Sequence, residues 1–171
     1  MILVLYFLIG HSWAQDAMSA FKQAFPDFQG GTPTSSETNT PRLHREMFLN
    51  YLSNSATTSK SLYWKLWSHG LATLVAQRLN PEASWGDLEI GDQNTCEKML
   101  PRLSRDFLKR FDSTREQDQY FYFSGPSKDA GRCLGFKVAE RMARVHAFYD
   151  LPRLSETTLK IALKKVLISL R

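Results

Sequence analysis

The sequence predicts a mostly α single domain with at most one or two short strands. Three observations lead there. At 171 residues the chain is the size of one domain, at most a domain with a tail. Its composition is 43% apolar, 12% aromatic and 23% charged, too apolar for a disordered chain and enough to supply a core. From Pro41 onward, apolar residues recur at three-to-four spacing between proline- and turn-marked breaks, the period of helices with one buried face. The same inventory excludes other classes. No apolar run reaches the roughly 18 residues of a membrane-spanning helix. Glycine is sparse and no fixed-period repeat occurs, which excludes collagen-like and solenoid architectures. Cys96 and Cys133 are too few for a disulfide-rich scaffold or a four-cysteine zinc site, and each reads as a buried, inert thiol.

The order of elements divides the chain into an apolar N-terminal segment (1–14), a short helix with an exposed loop (15–40) and a helical domain (41–171). The first segment has two readings. Ile2 to Ile9 followed by Ser12-Trp13-Ala14 has the form of a secretory signal with a small-x-small cleavage site, although no Lys or Arg precedes it. Its branched and aromatic residues ending at Gly10 equally suit a buried strand from Leu3 to Ile9. The first reading implies export to the periplasm or cell envelope, the second a cytoplasmic protein. Two cysteines do not decide between these compartments.

Ala17 to Phe25 is a short amphipathic helix stopped by Pro26, and Gln29 to Thr40 is a loop with nothing to bury. Pro41 opens a helix through Leu52 with Leu43, Met47, Phe48, Tyr51 and Leu52 inward. Ser59 or Ser61 caps the next helix, Leu62 to Leu79. It is apolar nearly all round and therefore central, and Asn80-Pro81 ends it. After a turn-rich connector, Trp85 to Asp92, a helix spans about Thr95 to Phe111 with Met99, Leu103, Phe107 and Phe111 inward. Pro101 kinks or divides it. Tyr120 to Phe123 is an aromatic run covering the core, with an extended conformation as one option. A helix from about Ala130 to Tyr149 carries the stripe Leu134, Val138, Met142, Val145 and Tyr149. The last helix starts at Ser155 and Glu156 with Leu159, Leu163, Val166 and Leu170 inward. Lys164, Lys165 and Arg171 complement its C-terminal dipole.

The net charge of +5 comes from basic residues scattered among acids. The densest group, Arg102, Arg105, Lys109, Arg110 and Arg115, is interrupted by Asp106, Asp112 and Glu116. That is the pattern of a solvated helix face, not a nucleic-acid footprint, and no nucleic acid is expected as a partner. The four histidines are His11, His44, His69 and His146. HExxH, Gly-x-Ser-x-Gly, P-loop, GxGxxG and CxxC motifs are all absent.

One stretch, His44-Arg45-Glu46-Met47-Phe48-Leu49-Asn50, bears on metal chemistry. A zinc-protease helix projects two histidines, at i and i+4, from one face to grip the ion. A glutamate at i+1 takes the proton of the metal-bound water. Here Glu46 holds the glutamate position, while the ligand positions are Arg45 and Leu49. Leucine has no donor atom, and arginine stays protonated and repels a cation. His44 is displaced by one residue, about 100° around the helix.

Arg45-Glu46-Met47-Phe48-Leu49-Asn50-Tyr51, with Leu66-Trp67-Ser68-His69-Gly70-Leu71-Ala72-Thr73-Leu74 on the next helix, resembles a bacterial family of predicted zinc-dependent proteases. That zincin-like family is related to a gliding-motility lipoprotein family. Tyr122-Phe123-Ser124-Gly125-Pro126 and Gly131-Arg132-Cys133-Leu134-Gly135-Phe136 continue in the same style, so the resemblance spans roughly Glu46 to Arg144. It implies a zincin-like helical domain with a degenerate HExxH. Glu46 is retained at the general-base position, and His69 stands where the family has its glutamate ligand. The implied protein is metallopeptidase-like but catalytically impaired. No cofactor is expected, and zinc enters only through a site rebuilt from His44, Glu46 and His69. Arg45, Glu46 and His69 are expected near one another, either as a structural ion pair or hydrogen-bonded cluster in place of the metal or as a polar pocket that takes a peptide, small-molecule or protein ligand. The alternative from a different class is a small exported helical binding protein with no enzymatic activity.

Overall fold

The computed structural model describes residues 19, 21–26, 40–55 and 59–171. The apolar opening segment, its Ser12-Trp13-Ala14 site and most of the loop expected over 29–40 lie outside the described residues. The helices are α1 (Thr40–Ser55), α2 (Leu62–Leu79), α3 (Gln93–Leu108), α4 (Glu116–Phe123), α5 (Lys128–Met142) and α6 (Glu156–Ser169). A 3-10 turn, Phe148–Arg153, precedes α6. The fold is mostly α, and no strand occurs among the described residues.

α2 is the central element, as its all-round apolar sequence requires. Leu62, Tyr63, Leu66, Trp67 and the whole run Gly70 to Ala76 are buried. It packs most extensively on α5 and α1, and less on α4 and α6. The α2–α5 crossing is unusually close because both helices carry glycine there. A Cβ on Gly70 would overlap the Gly135 carbonyl, and one on Gly135 would come within 2.8 Å of the Leu66 oxygen. Gly131, one turn earlier on α5, lies equally tight against the Tyr122 carbonyl of α4.

The start of α2 differs from the expected serine cap. Ser61 occupies the N-cap position, but its hydroxyl pairs with Ser59 Oγ and caps no amide. The orphan amides of Leu62 and Tyr63 instead donate to the carbonyls of Ser113 and Phe111, at 2.7 and 3.0 Å. The turn after α3 thus caps α2 from a distance. α3 and α6 do have side-chain caps, Asp92 accepting from the Thr95 amide and Ser155 from the Thr158 amide.

Several expectations are corrected. α3 runs through Pro101 as one helix and ends at Leu108. Leu103, Phe107 and Phe111 point inward, whereas Met99 is exposed. Tyr120 to Phe123 is the last turn of α4 and not extended. The helix expected to reach Tyr149 stops at Met142, so Val145 (74% exposed) and Tyr149 (64%) lie outside the core. In their place Leu151 of the 3-10 turn is buried, and Arg78 stacks over the Phe148 ring at 4.0 Å. On α6 the buried positions are Leu159, Leu163 and Leu167, with Leu170 just beyond the helix.

The cysteines are also corrected. Cys96 of α3 and Cys133 of α5 form a disulfide, with Cα atoms 5.9 Å apart across a separation of 37 residues. Closing a loop of that size in the unfolded chain corresponds to about 4 kcal/mol in the chain-entropy description.

Ahead of α1, residues 21–24 are helical and Pro26 follows, as expected. Phe21 and Phe25 are buried against Phe48, with ring centroids 6.3 and 4.9 Å away.

Gly70→Ala should lower the unfolding free energy by about 3 kcal/mol. The overlap with the α5 backbone outweighs the roughly 1 kcal/mol that alanine gains in helix propensity. Gly86→Ala, whose methyl would meet only Ser84 Oγ at 3.6 Å, should change stability by less than about 0.5 kcal/mol. Urea titrations of the two variants measure the difference.

Candidate functional site

The histidines and the glutamate singled out in the sequence occupy three different environments. His44, on α1, is buried. Its Nδ1 accepts from the Asn80 side-chain amide at 2.8 Å, and the same amide donates to the Ala76 carbonyl. That bond places the proton of the neutral ring on Nε2. Its ring also faces Phe21, so His44 is a satisfied part of the α1–α2 junction.

Arg45, next on α1, is only 4% exposed. A guanidinium so deep needs a counter-charge, and it comes from the connector between α2 and α3. Arg45 donates to Glu89 Oε2 at 2.7 Å, to Glu46 Oε1 at 3.1 Å and to the Leu88 carbonyl at 3.3 Å. Its buried Nε has no hydrogen-bond partner. Glu46 is exposed and half engaged by Arg45.

Glu89 is the residue that sequence reasoning missed. It lies between Leu88 and Ile90, both buried, and turns its carboxylate to three arginines. These are Arg45, Arg132 of α5 at 3.0 Å and Arg42 of α1 at 3.4 Å. Arg132 also bonds the Glu89 carbonyl. To do this Glu89 adopts φ of +53°, rare for a residue with a side chain. Burial alone would raise its pKa. The Arg45 hydrogen bond and the charges of Arg45, Arg132 and Arg42 outweigh burial and hold the carboxyl below its ordinary value. The signal was present as an acid flanked by two aliphatic residues just before Gly91. Nothing in the sequence paired it with arginines distant in the chain.

His69 sits on the opposite wall, on α2, stacked on Phe123 of α4 at 5.2 Å. Neither ring nitrogen has a hydrogen-bond partner among the described residues. Burial, reinforced by the positive charges of Lys65, Arg45 and Arg132, lowers its pKa from 6.5 to about 4. His69 is therefore neutral at neutral pH.

His69 also lines a cavity of about 380 Å³ between α1 and α2. Leu49 lines the same cavity, as do Asn50, Trp64, Lys60 and Lys65, together with four serine hydroxyls. α1 and α2 pack on each other here, but Arg45 and Glu46, expected beside His69 at a polar pocket, are not on this lining. No carboxylate is among the described lining residues. His44 and Glu46 are not on this lining, and no three His, Cys, Asp or Glu residues among those described come together in a way that could hold a metal ion. The structure does not bring His44, Glu46 and His69 into one ligand set.

No protein-family model matches the chain, and neither does any curated protein or solved structure. None of the described helices is long and apolar enough to cross a membrane.

The histidine gives stability a specific pH dependence. The unfolded chain protonates His69 near 6.5 and the folded chain only near 4, so the unfolded state binds more protons in that window. Stability should therefore fall as the pH drops from above 6.5 toward 4. Glu89, whose carboxyl is lowered on folding, contributes a further loss in the carboxylate range beneath it. His69→Gln should flatten the upper part of this profile and leave the lower part, which urea midpoints measured between about pH 7.5 and about pH 4 would register.

Proposed function

We propose that this chain is a peptidase-like helical protein that no longer cuts and instead binds an anionic peptide segment in the cleft between α1 and α2. The observation that carries this reading is the lining of that cleft. Leu49 and His69, which stand at the resembled family's ligand positions, share it, and its charged side chains are Lys60 and Lys65 with no carboxylate. A pocket of fixed positive potential with hydroxyls, an amide and Trp64 suits a carboxylate-bearing peptide. It does not suit a divalent cation.

The chemistry of the individual residues supports loss of hydrolysis. Leu49 offers no donor, and Arg45 contributes a permanent positive charge held in place by Glu89. Glu46, at the general-base position, accepts from Arg45, so its carboxylate is paired with a cation where catalysis would need it beside a bound water. Arg45 in this view is the protein's own replacement for the ion's charge.

Emission spectrometry of the purified protein should find well below one equivalent of zinc. Arg45→His combined with Leu49→His, which with His69 would present three imidazoles, should raise zinc binding toward one equivalent. A full equivalent in the unaltered chain, lost in His69→Ala, would overturn the non-catalytic reading. Failure of the double variant to bind zinc while its circular dichroism stays helical would overturn the peptidase-like arrangement.

The Cys96–Cys133 pair supports the export reading, because disulfides persist in oxidising compartments and are rare in reducing cytosol. Mass spectrometry of the protein from its native cells should find the two thiols oxidised and the mature chain starting at Gln15. Free thiols and an intact Met1 would place it in the cytoplasm.

A further inference from the structure

We propose that the groove between the end of α5 and α6 is a second docking site, independent of the α1–α2 cleft, and that it takes an acidic amphipathic helix of a partner protein.

Three observations converge on this groove. The first is unburied apolar surface. Val145 and Ile161 are 74% and 66% exposed, and both line a cavity of about 580 Å³ with Met142, Ala162 and Val166. Among the described residues seven large hydrophobics are exposed, and two of the most exposed, Val145 and Ile161, share this groove. Val145 continues the apolar stripe of α5 past the helix end, where nothing described covers it. Apolar surface concentrated in this way marks an interaction site more often than scattered single residues do.

The second is charge. Residues 141–171 contain seven Lys and Arg against two Asp and Glu, an excess of five that equals the net charge of the entire chain. Residues 1–140 are neutral. Within the groove Arg141 and Lys165 flank the apolar floor, and no acidic residue lines it. Among the described residues Lys165 has neither an ion-pair nor a hydrogen-bond partner, whereas Lys160 and Lys164 on the same helix are paired with Asp112. The counter-charge missing from the groove is what an acidic partner would bring.

The third is preorganisation. Arg141 Nη1 reaches across from α5 to the carbonyl and hydroxyl of Ser169, at 3.3 and 3.0 Å, which ties the two walls together. The groove runs along a helix of 14 residues, about 21 Å long, so an amphipathic helix of similar length can seat its apolar face there. A second copy of this chain is a poor occupant, because an isologous contact would set Lys165 and Arg141 against their own copies. A lipid surface is flat, whereas the apolar floor here is recessed between two helices.

The test uses the full chain and a fluorescein-labelled peptide of about 18 residues with leucines at i, i+3, i+4 and i+7 and glutamates on the flanks. Two control peptides are a scrambled sequence of the same composition and a version with lysine for every glutamate. Fluorescence anisotropy should show saturable binding of the acidic amphipathic peptide at least about tenfold tighter than either control. Affinity should weaken several-fold between about 50 and about 300 mM salt. Ile161→Asp and Lys165→Glu should each cost about tenfold in affinity with the thermal midpoint unchanged, since both side chains point to solvent. Lys65→Glu, in the other cleft, should leave this affinity as it was, which separates failure here from failure of the α1–α2 reading. Equal binding of all three peptides would overturn the proposal. So would binding that Ile161→Asp does not weaken. Dimerisation through this face, dissolved by Ile161→Asp, or capture by phosphatidylserine vesicles without peptide binding would also overturn it.

Discussion

The backbones of α2 and α5 meet at Gly70 and Gly135 with no room for a methyl group between them, and the other elements take their places around that contact. Because the two axes run so close, Tyr122 can rest its carbonyl on Gly131 and α4 can lie along α5. The same closeness brings Arg132 of α5 across to the connector that follows α2, where it meets Glu89. The disulfide between Cys96 and Cys133 then ties α3 to α5. Glycine at the crossing costs conformational freedom in the unfolded chain, and the packing of Leu66, Leu71, Leu134 and Val138 around it offsets that cost.

Charge is the second organising constraint, and it acts mainly through one carboxylate. Glu89 is the acid that Arg42, Arg45 and Arg132 share, and Glu46 gives Arg45 a second carboxylate. Burial, with the charges of Lys65, Arg45 and Arg132, keeps the His69 imidazole neutral at neutral pH. The positive φ of Glu89 fits the same picture, since backbone strain of this kind persists only where surrounding interactions over-determine it. Here the over-determination is three guanidinium groups and two buried aliphatic neighbours.

Helices with a strong local signature were legible in the sequence. α2 has its expected bounds because Asn80-Pro81 ends it and its apolar surface leaves it nowhere to go but the centre. α1 extends only slightly past the expected stretch. The errors fall where local pattern and tertiary packing disagree. The apolar period of α5 continues through Val145, but the chain turns at Met142, so that Leu151 fills the core position the stripe had assigned to others. Met99 follows the period of α3, yet no element packs over it. Tyr120 to Phe123 carries a composition common to strands and helix ends alike, and its packing on Gly131 decides for helix. Of the candidate site, the sequence singled out His69 and the Arg45–Glu46 pair, but the cavity that His69 lines is shared with Leu49 and not with them. The role of Glu89 was not legible.

By itself the sequence determined the class of fold, the central place of Leu62 to Leu79, and the absence of the donor atoms that a zinc-protease helix requires. Those are properties of residue types and their spacing, which are local and survive in any arrangement. Only the tertiary structure decided that Arg45 is buried on Glu89, that His44 belongs to Asn80, and that Cys96 and Cys133 are joined. It also decided that Arg141 and Lys165 flank an open apolar groove. Each of these depends on which surfaces meet when α2 and α5 close on their glycines, and that choice is made by the whole chain's packing and is not written in any short segment of it.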